Sequence, residues 1–191
     1  YLAEALESVQ TLDYPNLVHI VLDNASTDGT PEIIKTYQGR RVPVITARNP
    51  TLLPMAQNWN AAVRMIPAEA KYFQLLCADD MMVTHSISRR VALAESDPAV
   101  GAVLCQWRAD GICGEELPRD REVFDGKEIL RSYFRREHMG LSGMFALVRT
   151  TKIDPNRPFY DESLVVAFDA EVNIRIAATD KIGFVHEELM V

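Results

Sequence analysis

A chain of 191 residues, 48% of them hydrophobic and 25% charged, with a formal net charge of -7, has the profile of one globular domain able to bury a core. The acidic balance excludes a nucleic-acid binder working through a broad basic face, because phosphate neutralisation needs clustered Lys and Arg. The 3 cysteines, Cys77, Cys105 and Cys113, are odd in number and widely spaced, which predicts reduced thiols of a cytoplasmic compartment rather than a disulfide framework; no run is apolar and long enough to span a bilayer or act as a signal peptide.

The chain opens in a helical rhythm of Leu2, Leu6 and Val9 with no initiating Met, and it stops on the apolar Leu189-Met190-Val191. Both ends read as interrupted elements, so the domain is expected to be incomplete at both. Tyr14-Pro15-Asn16 is a turn, and Leu17–Leu22 is a β-branched run that ends in Asp23-Asn24, a strand followed by a loop. Thr30 is expected to cap the next helix, with Pro31 at its first position. Val42–Thr46 reads as a strand on a sheet edge, because it contains Pro43. Pro54–Met65 carries Trp59, Ala62, Val63 and Ile66 at helical spacing, and a buried strand, Tyr72–Cys77, follows. Ser86–Ser96 is a helix with Ser86 as its cap, and Val100–Cys105 another strand. Strands alternating with helical segments of about a dozen residues predict a doubly wound, mostly parallel α/β sheet with helices on both faces.

The second half is less regular. Asp110–Glu122 reads as a loop, Phe124–Phe134 as an amphipathic helix, Met144–Val148 as a strand, Asp169–Ala178 as a helix and Ile182–His186 as a closing strand. No repeat or linker marks a second domain.

Three acidic positions stand at comparable places: Asp23 at one strand end, Asp79-Asp80 at another, and Asp169 at a helix start. Strand ends of parallel sheets form ligand crevices. Adjacent carboxylates repel each other, and a hard divalent cation with oxygen ligands relieves that repulsion. Other readings stay open here: Asp23-Asn24-Ala25-Ser26-Thr27-Asp28-Gly29 is good turn chemistry by itself, and Asp169 would serve equally as a helix N-cap. His186, with Glu187 and Glu188, reads as a surface or core residue rather than a metal ligand.

The run Ile20–Thr30 resembles the nucleotide-binding segment of family 2 glycosyltransferases, whose pattern is apolar residues, Asp-Asp-Gly-Ser, any residue, Asp, then Gly-Thr. Tyr72–Asp80 resembles the strand and metal-binding DxD motif of the same family. Asn58-Trp59-Asn60 sits where members have an Asn-rich helix start, Phe159-Tyr160-Asp161-Glu162 resembles their Phe-Asp-Glu turn, and Asp169–Arg175 their catalytic helix. The resemblance implies a single GT-A domain over 1–191, Rossmann-like, with a nucleotide-sugar-binding half at 1–107 and an acceptor-binding half at 108–191. It implies an inverting transferase of polysaccharide biosynthesis that moves a hexose from a UDP- or dTDP-sugar to a saccharide or lipid-linked acceptor. In it Asp23 would contact the base, with Asn24 and Asn58 in the same nucleotide site. Asp79 would hold ribose or sugar hydroxyls, Asp80 would coordinate Mg²⁺ or Mn²⁺, and Asp169 would be the general base.

The chain departs from the pattern at Cys77, where many relatives have Asp, and at Phe168, where they often have Glu before the catalytic Asp. Asp161 is then the reserve base. The family's opening strand, normally central to the sheet, is also not represented, which predicts weak nucleotide binding or strand exchange between copies in a homo-oligomer. The expected location is cytoplasmic, at the inner membrane face if segments outside this chain anchor it. The competing reading is a non-catalytic nucleotide-sugar-binding or scaffolding domain; no Gly-rich loop with a trailing Arg or Lys supports a nucleotidyltransferase.

Overall fold

A computed structural model describes residues 1–109, 112–113, 117–138, 141 and 145–191. The expected loop over 110–122 and the expected strand start at Met144 therefore lie partly outside the described residues. The chain alternates α1 (Leu2–Gln10), β1 (His19–Asp23), α2 (Thr30–Lys35), β2 (Val44–Arg48), α3 (Met55–Val63), β3 (Tyr72–Phe73), α4 (Ser86–Ser96) and β4 (Val100–Ala109). It continues through β5 (Ile112–Cys113), β6 (Val123–Phe124), α5 (Gly126–Phe134), β7 (Leu147–Arg149), α6 (Phe168–Ala177) and β8 (Lys181–Met190).

The α/β class holds, and helices cover both faces of the main sheet. On one face Ala102, Leu104, Val148, Ile182 and Phe184 pack against Trp59 of α3, Ile129 of α5, and Phe168, Val172 and Ile176 of α6. On the other, Val100, Val103, Leu147 and Val185 meet Val9 of α1 and Ile87, Val91 and Leu93 of α4. Alternate strand residues thus serve opposite cores, the signature of a sheet buried on both sides. Gly126 allows α5 to start against the end of α6, since a Cβ there would overlap the carbonyl oxygens of Ala177 and Asp180.

The sheet itself differs from the sequence expectation. β1 and β2 form a separate two-stranded parallel sheet, and the other strands run in the order β3-β7-β4-β8-β6, with β5 pairing beside β4. Among the described residues β1–β2 and β4–β8 pair in parallel, while the pairs β3–β7, β4–β7, β4–β5 and β6–β8 are antiparallel. The expected six-residue strand at Tyr72–Cys77 shrinks to Tyr72-Phe73, paired with Val148 and Arg149. Residues 74–77 are half-buried rather than buried. Apolar content suits them to a core, but a strand needs a neighbouring ladder, and β7 supplies only two partners. Asp23 and Asp79 therefore do not share a hydrogen-bonded rim.

Two caps also move. Gly29 holds the N-cap of α2, with the Asp28 carboxylate accepting from Thr30 N at 3.0 Å and Pro31 in the first turn. His85 precedes α4, because the Ser86 hydroxyl is inside the helix accepting from Arg90 Nη2 at 2.7 Å. At α5 Asp125 caps through Glu128 N at 3.0 Å.

Candidate functional site

Helix α3 is the beam on which the site is assembled. Its N-terminal turn meets the loop after β1. There Asn49 Nδ2 donates to Asn24 Oδ1 at 2.9 Å and to Asn58 Oδ1 at 2.8 Å. Asn24 closes the network by donating to Leu53 O at 2.9 Å and accepting from Leu53 N at 3.0 Å. Asn24 and Asn58, expected in the nucleotide site, thus stand together through Asn49 and tie down the 49–54 segment. Asn49, buried and at the centre of the network, was not among the expected residues.

Asp23 lies at the end of β1 and is only 6% exposed. Its Oδ1 accepts from Ser26 N at 2.9 Å and its Oδ2 is ion-paired with Arg48 Nη1, the residue registered opposite it on β2. Burial alone would raise this carboxyl, but the Ser26 hydrogen bond and the Arg48 charge outweigh it and hold Asp23 below the ordinary carboxylate range. Arg48 was also missed. The strand-end logic that selected Asp23 applies equally to the end of its parallel neighbour. Between Asp23 and Ser26, Ala25 adopts a left-handed φ of 61° where the family pattern has Gly, a strained conformation for a residue with a Cβ.

The next two residues of α3, Trp59 and Asn60, serve a different neighbour. Asn60, 2% exposed, donates to Tyr160 O at 2.8 Å and to Glu162 Oε1 at 2.9 Å, and accepts from Tyr160 N at 2.9 Å. Trp59 meets the rings of Tyr160 and Phe168 edge-on, with centroids 5.2 and 5.0 Å away. Arg175 of α6 completes the clamp by donating to Phe159 O at 2.6 Å. The turn quoted from the sequence is therefore locked to two helices, and it sets the start of α6.

Asp169 sits in the first turn of α6, where the helix dipole favours a carboxylate. It does not cap the helix: the cap position belongs to Ala167, in the left-handed region at φ 61°, with no side-chain hydrogen bond. The Asp169 side chain, half-buried and without a hydrogen bond among the described residues, lines a narrow cleft with Phe73, Val148, Phe159, Tyr160 and Asn173. The Tyr160 hydroxyl makes no hydrogen bond there either; burial first, then the charge of Asp169, raises its pKa above the ordinary phenol value. Asp161 instead accepts from Ser163 N at 2.9 Å and Ser163 Oγ at 2.6 Å in a local turn.

The segment after β3 brings Cys77, Asp79 and Asp80 together, with a ligand atom of each within 4.8 Å of the others. Burial and then the neighbouring Asp79 raise Asp80 above the ordinary carboxylate range. Burial pushes the Cys77 thiol up to about 12, with Asp80, Asp79 and Asp169 adding to it. Two carboxylates and a sulfur so close form a donor set that fits a divalent cation. His186 is engaged elsewhere, with Nε2 2.9 Å from Arg121 O, while Glu187 pairs with Arg89 and Glu188 with Arg108. No helix among the described residues is long and apolar enough to cross a membrane.

The family described as glycosyl transferase family 2 matches residues 1–154. An uncharacterized glycosyltransferase of Methanocaldococcus jannaschii is 28% identical over 196 residues, covering 100% of this chain and 64% of its own length. Among solved structures, S. aureus TarS 1-349 superposes with a TM-score of 0.78 at 18% identity, over 100% of this chain and 56% of its own; the same TarS fragment is also known in complex with UDP. The mannosyltransferase PcManGT from Pyrobaculum calidifontis, in complex with GDP-Man and Mn²⁺, gives a TM-score of 0.69 at 18% identity, over 98% of this chain and 50% of its own. This chain therefore spans less than two thirds of each of these relatives, and its fold is theirs, the GT-A fold.

Proposed function

Because the chain belongs to glycosyl transferase family 2, we propose that it transfers a sugar, with inversion, from a nucleoside-diphosphate sugar to an acceptor hydroxyl, with Asp169 as general base. The observation that carries this reading is an Asp169 carboxylate that makes no hydrogen bond among the described residues and lines an aromatic-walled cleft, with the close Asp79–Asp80 pair in the same chain supporting it. Asp169 would take the acceptor hydroxyl proton as that oxygen attacks the anomeric carbon, so a single displacement suffices. Burial first, and then the neighbouring carboxylates, hold the Cys77 thiol protonated while no cation is bound, so it is not the nucleophile of a covalent route.

Asp80, with Asp79 beside it, would hold Mg²⁺ or Mn²⁺. A bound divalent cation supplies Lewis-acid stabilisation of the charge on the departing diphosphate oxygen. Asp79 would also orient ribose or sugar hydroxyls. Asp23, held ionised by Ser26 and Arg48, would accept the imide N–H of a uracil or thymine ring, and Asn24 and Asn58 would shape the wall beside it. UDP in TarS and GDP-Man with Mn²⁺ in PcManGT support a nucleotide-sugar donor and a metal. We take the acceptor to be a saccharide or lipid-linked saccharide in cytoplasmic polysaccharide synthesis. Membrane contact would be made by segments other than these residues, and self-association through the open edge of the β1–β2 sheet is part of the reading.

The test compares the protein with Asp169→Asn. UDP release from a panel of UDP-sugars with Mn²⁺ and candidate saccharide acceptors should fall by about 10²- to 10⁴-fold, while UDP binding measured by calorimetry stays unchanged. Turnover that survives the substitution overturns the assignment.

A further inference from the structure

The metal reading above rests on carboxylates, yet the sulfur of Cys77 lies within 4.8 Å of a ligand atom of both. A tight turn puts it there: Asp80 N donates to Cys77 O at 3.2 Å, which folds residues 77–80 back and brings the thiol to the Asp80 carboxylate. The ligand atoms of Cys77, Asp79 and Asp80 then all lie within 4.8 Å of one another, a span that one six-coordinate ion bridges with bonds of about 2 to 2.5 Å. Cys77 is half-buried, unlike the buried Cys105, which packs in the core between strands and α4.

We propose, resting on the metal reading, that Cys77 is itself a ligand of the divalent cation and biases the site toward Mn²⁺ and Co²⁺ and away from Mg²⁺. Mg²⁺ demands hard oxygen donors in a regular octahedron, whereas sulfur favours the softer, later ions. On binding, a sulfur–metal bond forms, one metal-bound water leaves, and the thiol proton passes to solvent. No oxidant or reductant is involved. Asp79 and Asp80 complete the protein's share of the coordination sphere, which leaves the remaining positions to water or diphosphate oxygens. The Cys-for-Asp departure at position 77 thus changes which ion the site selects and leaves intact its ability to hold one.

Cobalt tests this directly. The protein is titrated with CoCl₂, with and without UDP, and followed both by calorimetry and by near-ultraviolet absorbance, where thiolate-to-cobalt charge transfer appears. The expected result is an absorption band that saturates with the calorimetric binding. Cys77→Ser should abolish the band and weaken Co²⁺ by about tenfold or more. Cys77→Asp should bind Co²⁺ without the band and narrow the Mn²⁺ over Mg²⁺ preference by about tenfold. Calorimetric binding without the band, or a band that persists in Cys77→Ser, overturns the inference and leaves the metal reading standing. Failure of both Co²⁺ and Mn²⁺ to bind even with UDP overturns the two together.

Discussion

Successive residues of α3 serve regions of opposite character. Around Asn58 the side-chain amides interlock through Asn49, which joins Asn24 and Asn58, and both oxygens of nearby Asp23 are engaged by Ser26 and Arg48. Beyond Trp59 and Asn60, Asp169 and the Tyr160 hydroxyl line a cleft and make no hydrogen bond among the described residues. Matched polar groups fix a shape and contribute stability; unmatched ones in a partly buried cleft cost stability and are retained where a ligand completes them. The first region is a mould and the second a socket.

That contrast can be broken or sharpened by experiment. The largest effect is expected at the acidic pair, where Asp80→Asn should reduce metal-dependent turnover by about 10²-fold or more without lowering the melting temperature. A parallel loss of stability would mean that the carboxylate is structural. The mould carries an acid sensitivity of its own. Burial lowers the pKa of His19, on β1, to about 4. Because the unfolded chain takes up the proton first, stability is fully present above about pH 6.5 and falls by roughly 3 kcal/mol as pH drops toward 4. Chemical denaturation across that window should show the slope, and His19→Gln should flatten it.

Smaller effects follow within the same network. Asn49→Ala removes the shared donor of two amide oxygens and should cost about 2 kcal/mol, read as a shift in the denaturation midpoint with an unchanged slope. Ala25→Gly relieves a left-handed alanine and should stabilise the protein by up to about 1 kcal/mol. Tyr160→Phe removes a hydroxyl that the folded chain leaves unmatched, so its melting temperature should hold or rise slightly. A clear destabilisation there would show that the socket is already satisfied.

Much of this was legible in the residues. Helical periodicity and cap signals located the α-helices among the described residues, and the acidic groups that drew attention, Asp23, Asp79, Asp80 and Asp169, could be picked out at element ends because both signals are local. What escaped is set by pairing between distant segments. Tyr72–Cys77 has the composition of a buried strand, but β7 offers a ladder only to Tyr72 and Phe73. Ser86 looks like a cap, yet the fully buried Arg90 claims its hydroxyl. Arg48 and Asn49 carry no motif; their place is fixed by the register that sets Arg48 opposite Asp23. Phe168 in place of an acidic residue reads as a weakness in the sequence, but its ring packs on Trp59 and Tyr160 and so helps to fix the helix that bears Asp169.

The separation of β1–β2 from the larger sheet has a bearing on how the molecule opens. A two-stranded parallel ribbon is marginal by itself, whereas β4 and β8 pair along most of their length in the centre of two cores. Backbone amides of β1 and β2 should therefore exchange with solvent through local opening, and those of β4 and β8 only when the whole domain unfolds. The strand that ends in Asp23 belongs to the unit that opens first, so any ligand bound there would slow exchange in β1 and β2 by mass action and become, in effect, a third element of that sheet.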